Sequence, residues 1–380
     1  MVLTFHNAGV NATRIPIHNK RTLCVSFMPN NFHLVAAEAT GELRQWRADS
    51  GHWQEVTPST MKANGSIYAA DVSLDGRWIV TGDTGHKVVV WNADTHKIAI
   101  EVSEHTNYVY TVDVSSDSTR FASGSEDRTV RIFDIISGVR VIPPLQHNGA
   151  VIGVKFTPDG SRIATATHSQ TISLDDAHSG NKLIDIPVKV NWVLSTPLAW
   201  ASDGQQLFAG SQGKITSLDT STSSQSDWAI SNSSKVVSIV THGQFIACSA
   251  GCSVSFWDYT SRQQIGSIIV HIAGVNCISI SHDGRHLACG DNKGITVYDL
   301  GDLLPDLHVF RVSRVPLMQV SEAVLESWMR GNPTETESIL SEEMARRSDT
   351  DHYAPAARSL IRAHLKEWKT ATEDAEMVAF

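Results

Sequence analysis

The chain has 380 residues, 41% hydrophobic and 19% charged, with 25 glycines and 12 prolines. At that size about three quarters of the unfolded surface can be buried, and the composition excludes global disorder. Its 31 basic and 40 acidic residues leave a net charge of −9, which excludes a general electrostatic footprint for wrapping nucleic acid or docking on anionic lipid and favours proteins as partners.

The amino terminus has neither the basic start nor the apolar stretch of a secretory leader, and no apolar run is long enough to span a bilayer. The five cysteines, Cys24, Cys248, Cys252, Cys277 and Cys289, are scattered and odd in number, so no disulfide framework is expected. An intracellular protein, cytoplasmic and/or nuclear, fits these features.

The first element is short. Arg14-Ile15-Pro16-Ile17-His18-Asn19 resembles the stretch Arg140 to Asn148 far downstream, and proline suits a strand at a sheet edge. Beyond it, two landmarks recur in step. Turns of the Asp-Gly type end at Asn31, Gly76, Ser118, Gly160, Gly204, Gly243 and Gly284. A second landmark, an aromatic or leucine, follows 14 or 15 residues later at Trp46, Trp91, Phe133, Leu174, Leu218, Trp257 and Tyr298. Spacings of 39 to 45 residues held through seven cycles mark seven copies of one unit.

Within a unit, short apolar runs alternate with turn residues, which predicts strands. The third copy shows Val109 to Val114, Arg120 to Ser125, Thr129 to Asp134 and a fourth run at Val139 to Ile142. Four strands in each 42 or so residues make a small antiparallel sheet that is apolar on both faces and cannot bury itself. Closure into a ring removes the open ends.

The expectation is therefore an all-β, seven-bladed β-propeller of four-stranded antiparallel blades. The blades fall near 20–60, 61–103, 104–146, 147–189, 190–231, 232–270 and 271–300, with strand 12–17 completing the last blade and closing the ring. Phe27, Val72, Val114, Phe156, Trp200, Ile239 and Ile280 are expected to face the next blade, each preceded two residues earlier by an apolar residue such as Val25, Val112 or Val237.

His105 followed by Ser123-Gly124-Ser125-Glu126-Asp127-Arg128-Thr129-Val130-Arg131-Ile132-Phe133-Asp134 resembles the WD-repeat pattern, as do Trp257-Asp258 and Tyr298-Asp299. The resemblance covers residues 14 to about 300. It implies that a His, a turn Asp, a Ser or Thr and the Trp form a hydrogen-bonded network stiffening each blade, so His105, Ser123, Asp127, Trp46, Trp91 and Trp257 are expected to be structural. The pattern is incomplete here: Phe133 has no indole donor, Thr40 stands where the Asp belongs in the first copy, and Leu174 replaces the Trp of the fourth.

The turn rhythm stops at Gly301. A linker over 301–320 is expected, then an α-helical extension over 321–380 of two hairpins turning at Gly331 and Glu367. The second hairpin resembles a tetratricopeptide repeat through Ser359, Trp368, Ala371, Ala375 and Val378. Two such hairpins are too few for a solenoid of their own, so packing on the propeller or on a partner chain is the expected use.

No HExxH, GxSxG or P-loop spacing occurs among the 17 histidines and 25 glycines, so no catalytic residue, cofactor or metal is expected. His18, His105, His147 and His271 keep a fixed distance from the second landmark and belong to blade construction. Cys248 and Cys252 lack a second pair of ligands, and Asp175-Asp176 read as turn formers at a strand exit.

What a propeller offers is a rigid end studded with loops. In WD-repeat relatives the loops before each first strand and between second and third strands commonly bind peptides or proteins. By repeat position those loops present Lys20, Arg21, Tyr68, Asn107, Tyr108, Asn148, Trp192, Lys235 and Asn276, with Tyr108 and Trp192 as the preferred anchors. Tyr68 and Tyr110 could instead plug the channel mouth. A non-catalytic interaction scaffold or adaptor is thus expected. Recognition of nucleic acid or chromatin is the first alternative, set against the −4 charge left on the ring, and a propeller enzyme the second.

Overall fold

A computed structural model describes residues 3–4, 12–16, 21–49, 52–56, 61–169, 171–187, 198–211, 213–222, 224–230 and 236–304. These residues form seven antiparallel sheets, six of four strands and one of five. The first blade runs Thr22–Phe27, His33–Glu38, Leu43–Asp49 and His52–Glu55, and its pattern recurs around the molecule. The first strands of consecutive blades are neighbours all the way round, the seventh (Val275–Ile280) against the first included, so the ring is closed.

Closure is made by the amino terminus. Ala12–Pro16 pairs antiparallel with Gly294–Asp299, setting Ile15 opposite Ile295. Ile15 is 4% exposed and packs with Phe27, Trp46 and Ala288, which bridge the seventh and first blades. Leu3–Thr4 pairs on the outside of this strand as a fifth member that the repeat arithmetic did not anticipate.

The recurring turns have a local cause. Ser73 donates its hydroxyl to Asp75 at 2.6 Å, Ser115 to Asp117 at 2.6 Å, Thr157 to Asp159 at 2.5 Å and Ser281 to Asp283 at 2.5 Å. Each Asp then accepts a backbone N–H two residues on, at Arg77, Thr119, Ser161 and Arg285. A short side chain thereby satisfies the turn's own backbone. Further round each blade, Asp134, Asp176, Asp219 and Asp258 accept from backbone N–H groups of the third-to-fourth turn.

The blades pack face to face through apolar side chains of first, second and third strands. Val35, Leu43, Ile67, Ile79 and Trp91 fill the space between blades one and two. Val80, Val90, Val109, Phe121 and Phe133 do so between two and three. Polar straps supplement the packing: Asp71 accepts the Val114 N–H at 2.9 Å, Asp113 that of Phe156 at 2.7 Å, and the Ser279 hydroxyl that of Phe27 at 3.2 Å. Gly124 lies where a Cβ would come within 2.4 Å of Val151 and 2.7 Å of Thr111, so blades three and four close on a bare backbone.

Three register expectations need correction. In blade six, Ile246 lies opposite both Thr241 and Trp257, as Phe121 lies opposite Val114 and Phe133 in blade three. The inter-blade positions are therefore Thr241 and Ile239, not Ile239 and Val237. The cause is a turn two residues shorter, with His242 paired to Phe245 across Gly243 at φ 53°. Thr241 compensates for its polarity by donating to the Trp200 carbonyl at 2.6 Å.

In blade four, Ile163 lies opposite Asp175, so Asp175 and not Leu174 occupies the place of the Trp; Leu174 pairs one step away, with Ala164. Asp176 alone is the turn former, accepting from His178 and Ser179, whereas Asp175 is 2% exposed. In blade three the fourth strand is Leu145–Gln146, with Arg140 making only a single bridge to Phe133, because Pro143 and Pro144 cannot continue the ladder from Val139.

After the seventh blade, Asp299 caps a short helix, Leu300–Leu303, by accepting the Gly301 N–H at 2.9 Å. The expected linker beyond it and the helical hairpins of 321–380 lie outside the described residues. Among the described residues no helix is long and apolar enough to cross a membrane.

Candidate interaction face

The loop face is best defined in blade three, where the expected network is intact except for the indole. His105 Nε2 lies 2.8 Å from the Ser123 hydroxyl and Nδ1 lies 2.8 Å from Asp127 Oδ2. Asp127 also accepts the Thr106 N–H at 3.0 Å, the Thr129 N–H at 3.0 Å and the Thr129 hydroxyl at 2.7 Å. Burial alone would push the Asp127 carboxyl up, but the bonds from His105 and Thr129 hold it well below the usual carboxylate range. The network therefore ties the loop before the first strand to the loop between second and third strands. Phe133 stacks on Phe121 with centroids 5.1 Å apart in place of the indole.

Other blades keep fragments. In blade two the Trp91 indole donates to Thr81 at 2.9 Å, while Ala63 stands at the position of His105. In blade six Trp257 donates to Ser255 at 2.9 Å. In blade seven the Tyr298 hydroxyl meets His271 Nε2 at 3.3 Å, a phenol replacing an indole. Trp46 serves by packing in the closure cluster. In blade four the network fails: His147 is buried, its Nε2 has no hydrogen-bond partner among the described residues, and burial together with Lys182 pulls its pKa down to about 4.

On the loops themselves, Asn107 accepts the Tyr108 N–H at 2.9 Å, and the Tyr108 carbonyl accepts the Glu126 N–H at 2.9 Å. Tyr108 is 41% exposed. Tyr110 and Tyr68 lie with ring centroids 5.5 Å apart at the wall of the central cavity. Asn276 is a joint between the seventh and first blades, donating at 3.0 Å to both the Thr22 carbonyl and Asn292. Arg21 reaches the same Asn276 at 3.4 Å, and Asn148 is exposed. Lys20, Trp192 and Lys235 lie outside the described residues.

The first strands enclose a central cavity of about 350 Å³. Its polar wall was not recognised from the sequence: Asp71, Asp113 and Lys155 stand on three successive blades, with Lys155 Nζ bound to Asp113. Burial pushes the Lys155 pKa down, but the Asp113 and Asp71 carboxylates prevail and keep it charged. The signal lay in one repeated position, the residue before the apolar one that ends each first strand. Among the described residues no cluster of three or more His, Cys, Asp or Glu side chains is placed to hold a metal ion, and all five cysteines are free thiols.

Four segments, 56–92, 97–134, 140–174 and 262–299, match the family model of the WD domain, G-beta repeat. The segments 97–134, 140–174 and 262–299 each take in the fourth strand of one blade and the first three of the next, the offset that the amino-terminal strand resolves, whereas 56–92 holds the first three strands of blade two alone. A stretch of 93 residues is 27% identical to Nuclear distribution protein nudF of Emericella nidulans (strain FGSC A4), covering 24% of this chain and 20% of that protein. The match thus spans one fifth of the relative's length.

Proposed function

The chain being a seven-bladed WD-repeat propeller, we propose that it is a non-catalytic interaction scaffold that binds a peptide or protein on the loop face, centred on the blade-three loops. Propellers of this family generally mediate protein interactions. The observation that carries the reading is the pairing of rigidity with exposure: the His105–Asp127–Ser123 network fixes the loop bearing Tyr108, which is 41% exposed. A pre-ordered aromatic costs little entropy on binding and is the residue type found at interface hot spots. Trp192 and the basic residues Lys20, Arg21 and Lys235 belong to the same face by repeat position. The segment after residue 320, whose sequence is expected to be helical, is assigned a second contact, and the free thiols suit the cytoplasm or nucleus.

Affinity capture with the intact chain, compared with Tyr108→Ala and Trp192→Ala, tests this. Loss of a partner from variants that unfold at the wild-type urea concentration supports the reading. Retention of every partner by the double variant overturns it.

A further inference from the structure

The inference concerns what the loop face recognises and rests on the interaction reading above. The Tyr108 ring lies 5.7 Å from the His86 imidazole and 6.4 Å from the Tyr110 ring, which is 5.5 Å from Tyr68. Four rings from blades two and three therefore form one row, from the exposed loop to the mouth of the channel. Glu126 adjoins this row: its N–H donates to the Tyr108 carbonyl at 2.9 Å, and its carboxylate lies near enough to the Tyr110 hydroxyl to help burial push that phenol's pKa up.

Several neighbouring charges are already engaged. Glu104 pairs with Arg131 at 2.8 Å and with Arg140, Asp127 accepts from His105, and Lys87 reaches Glu101 at 2.5 Å. Glu126 forms no ion pair among the described residues, and its Oε2, screened from solvent by its surroundings, has no hydrogen-bond partner among them. A π face and an uncompensated carboxylate side by side attract a cation and repel an anion.

We propose that this corner is a subsite for an arginine side chain of the partner protein, with Tyr108 as the stacking face and Glu126 as the counter-charge. A planar guanidinium can lie on a ring while its edge donates toward a carboxylate; an ammonium offers no plane to stack. Glu126 is the residue that separates this subsite from a merely apolar one, because the same four rings without it would suit a neutral or proline-bearing segment equally well.

The test uses the full chain with isotope-labelled tyrosine rings, titrated with N-acetylarginine amide and, separately, with its uncharged isostere N-acetylcitrulline amide. The arginine probe is expected to shift the Tyr108 and Tyr110 resonances with an affinity at least about five-fold above that of the citrulline probe. Glu126→Gln is expected to bring the ratio to about one, and Tyr108→Ala to lower affinity for both probes about five-fold or more. Equal affinity for the two probes in the wild-type chain, no shift with either, or a ratio unchanged in Glu126→Gln overturns the arginine subsite. In that event, partner capture that still depends on Tyr108 would leave the interaction reading standing, and capture indifferent to Tyr108 would remove both.

Discussion

Asp175→Asn is expected to stabilise the protein, and to do so only above acidic pH. The carboxylate occupies the place that Trp46, Trp91, Phe133 and Trp257 hold in other blades, is 2% exposed, and has an Oδ2 without a hydrogen-bond partner among the described residues. Burial, with Asp185 adding to it and Lys182 opposing, raises its pKa from 3.8 to about 6. A rise of that size corresponds to about 3 kcal/mol disfavouring the ionised folded form, at ~1.36 kcal/mol per unit. Residual solvent screening discounts this to about 1 to 3 kcal/mol.

The sign follows from linkage. The folded state holds its proton more tightly than the unfolded chain, so the cost is absent below pH 3.8, grows as pH rises through the interval to about 6, and is complete above it. Asparagine keeps the shape and removes the charge. Urea unfolding should show the variant more stable than wild type by about 1 to 2 kcal/mol at pH 8, with the difference shrinking toward zero near pH 4. Asp175→Leu, which installs the side chain that blade five carries at Leu218, should gain at least as much at pH 8. A destabilised asparagine variant at pH 8, or a difference that does not change with pH, would refute the reasoning and show the carboxylate to be favourably held.

Other perturbations address the remaining supports of the fold. His105→Ala removes the imidazole bond to Asp127 and the partner of the Ser123 hydroxyl and should cost about 1 to 3 kcal/mol in urea unfolding, with faster amide exchange at Thr106 and Tyr108. Ile15→Ala opens the closure cluster and should cost about 2 to 4 kcal/mol, whereas an alanine at the exposed Ile136 should change stability by less than about 0.5 kcal/mol. Gly124→Ala drives a methyl group toward Val151 and Thr111 and should lower the thermal midpoint by an amount corresponding to about 1 to 3 kcal/mol.

Seven blades, four strands in each and closure by residues near 15 were legible because the turn and aromatic landmarks repeat with chemical reason: an Asp side chain closes most of the turns, and a bulky side chain fills most of the inter-blade gaps. The errors arose where a unit departs from the average. Blade six shortens one turn by two residues at Gly243, and blade four keeps a full-length hairpin but places Asp175 in the aromatic slot, so counting from the turn landed on the wrong residue in each. The Pro143-Pro144 interruption displaced the fourth strand of blade three to Leu145–Gln146.

Of the loop residues, Tyr108 could be placed on its loop by repeat position because the expected His105–Asp127 pair holds that same loop through the Thr106 N–H. Its companions could not. His86, Tyr110 and Glu126 come from two loops and one strand of two blades, and only the ring distances and the Glu126 backbone bond unite them with Tyr108. Asn276, singled out as a binding residue, spends both its donor bonds inside the joint between blades seven and one, a use that depends on which blades become neighbours.

Hydrogen exchange at the amides of residues 12–16 tests the closed ring, on which the rigidity of the loop face depends. If Ala12–Pro16 is the fourth strand of the last blade, its amides that bond to Gly294–Asp299 will exchange as slowly as those of that partner strand, and both will lose protection together in Ile15→Ala. Exchange of 12–16 at the rate of an unstructured peptide, with 294–299 still protected, would contradict the account.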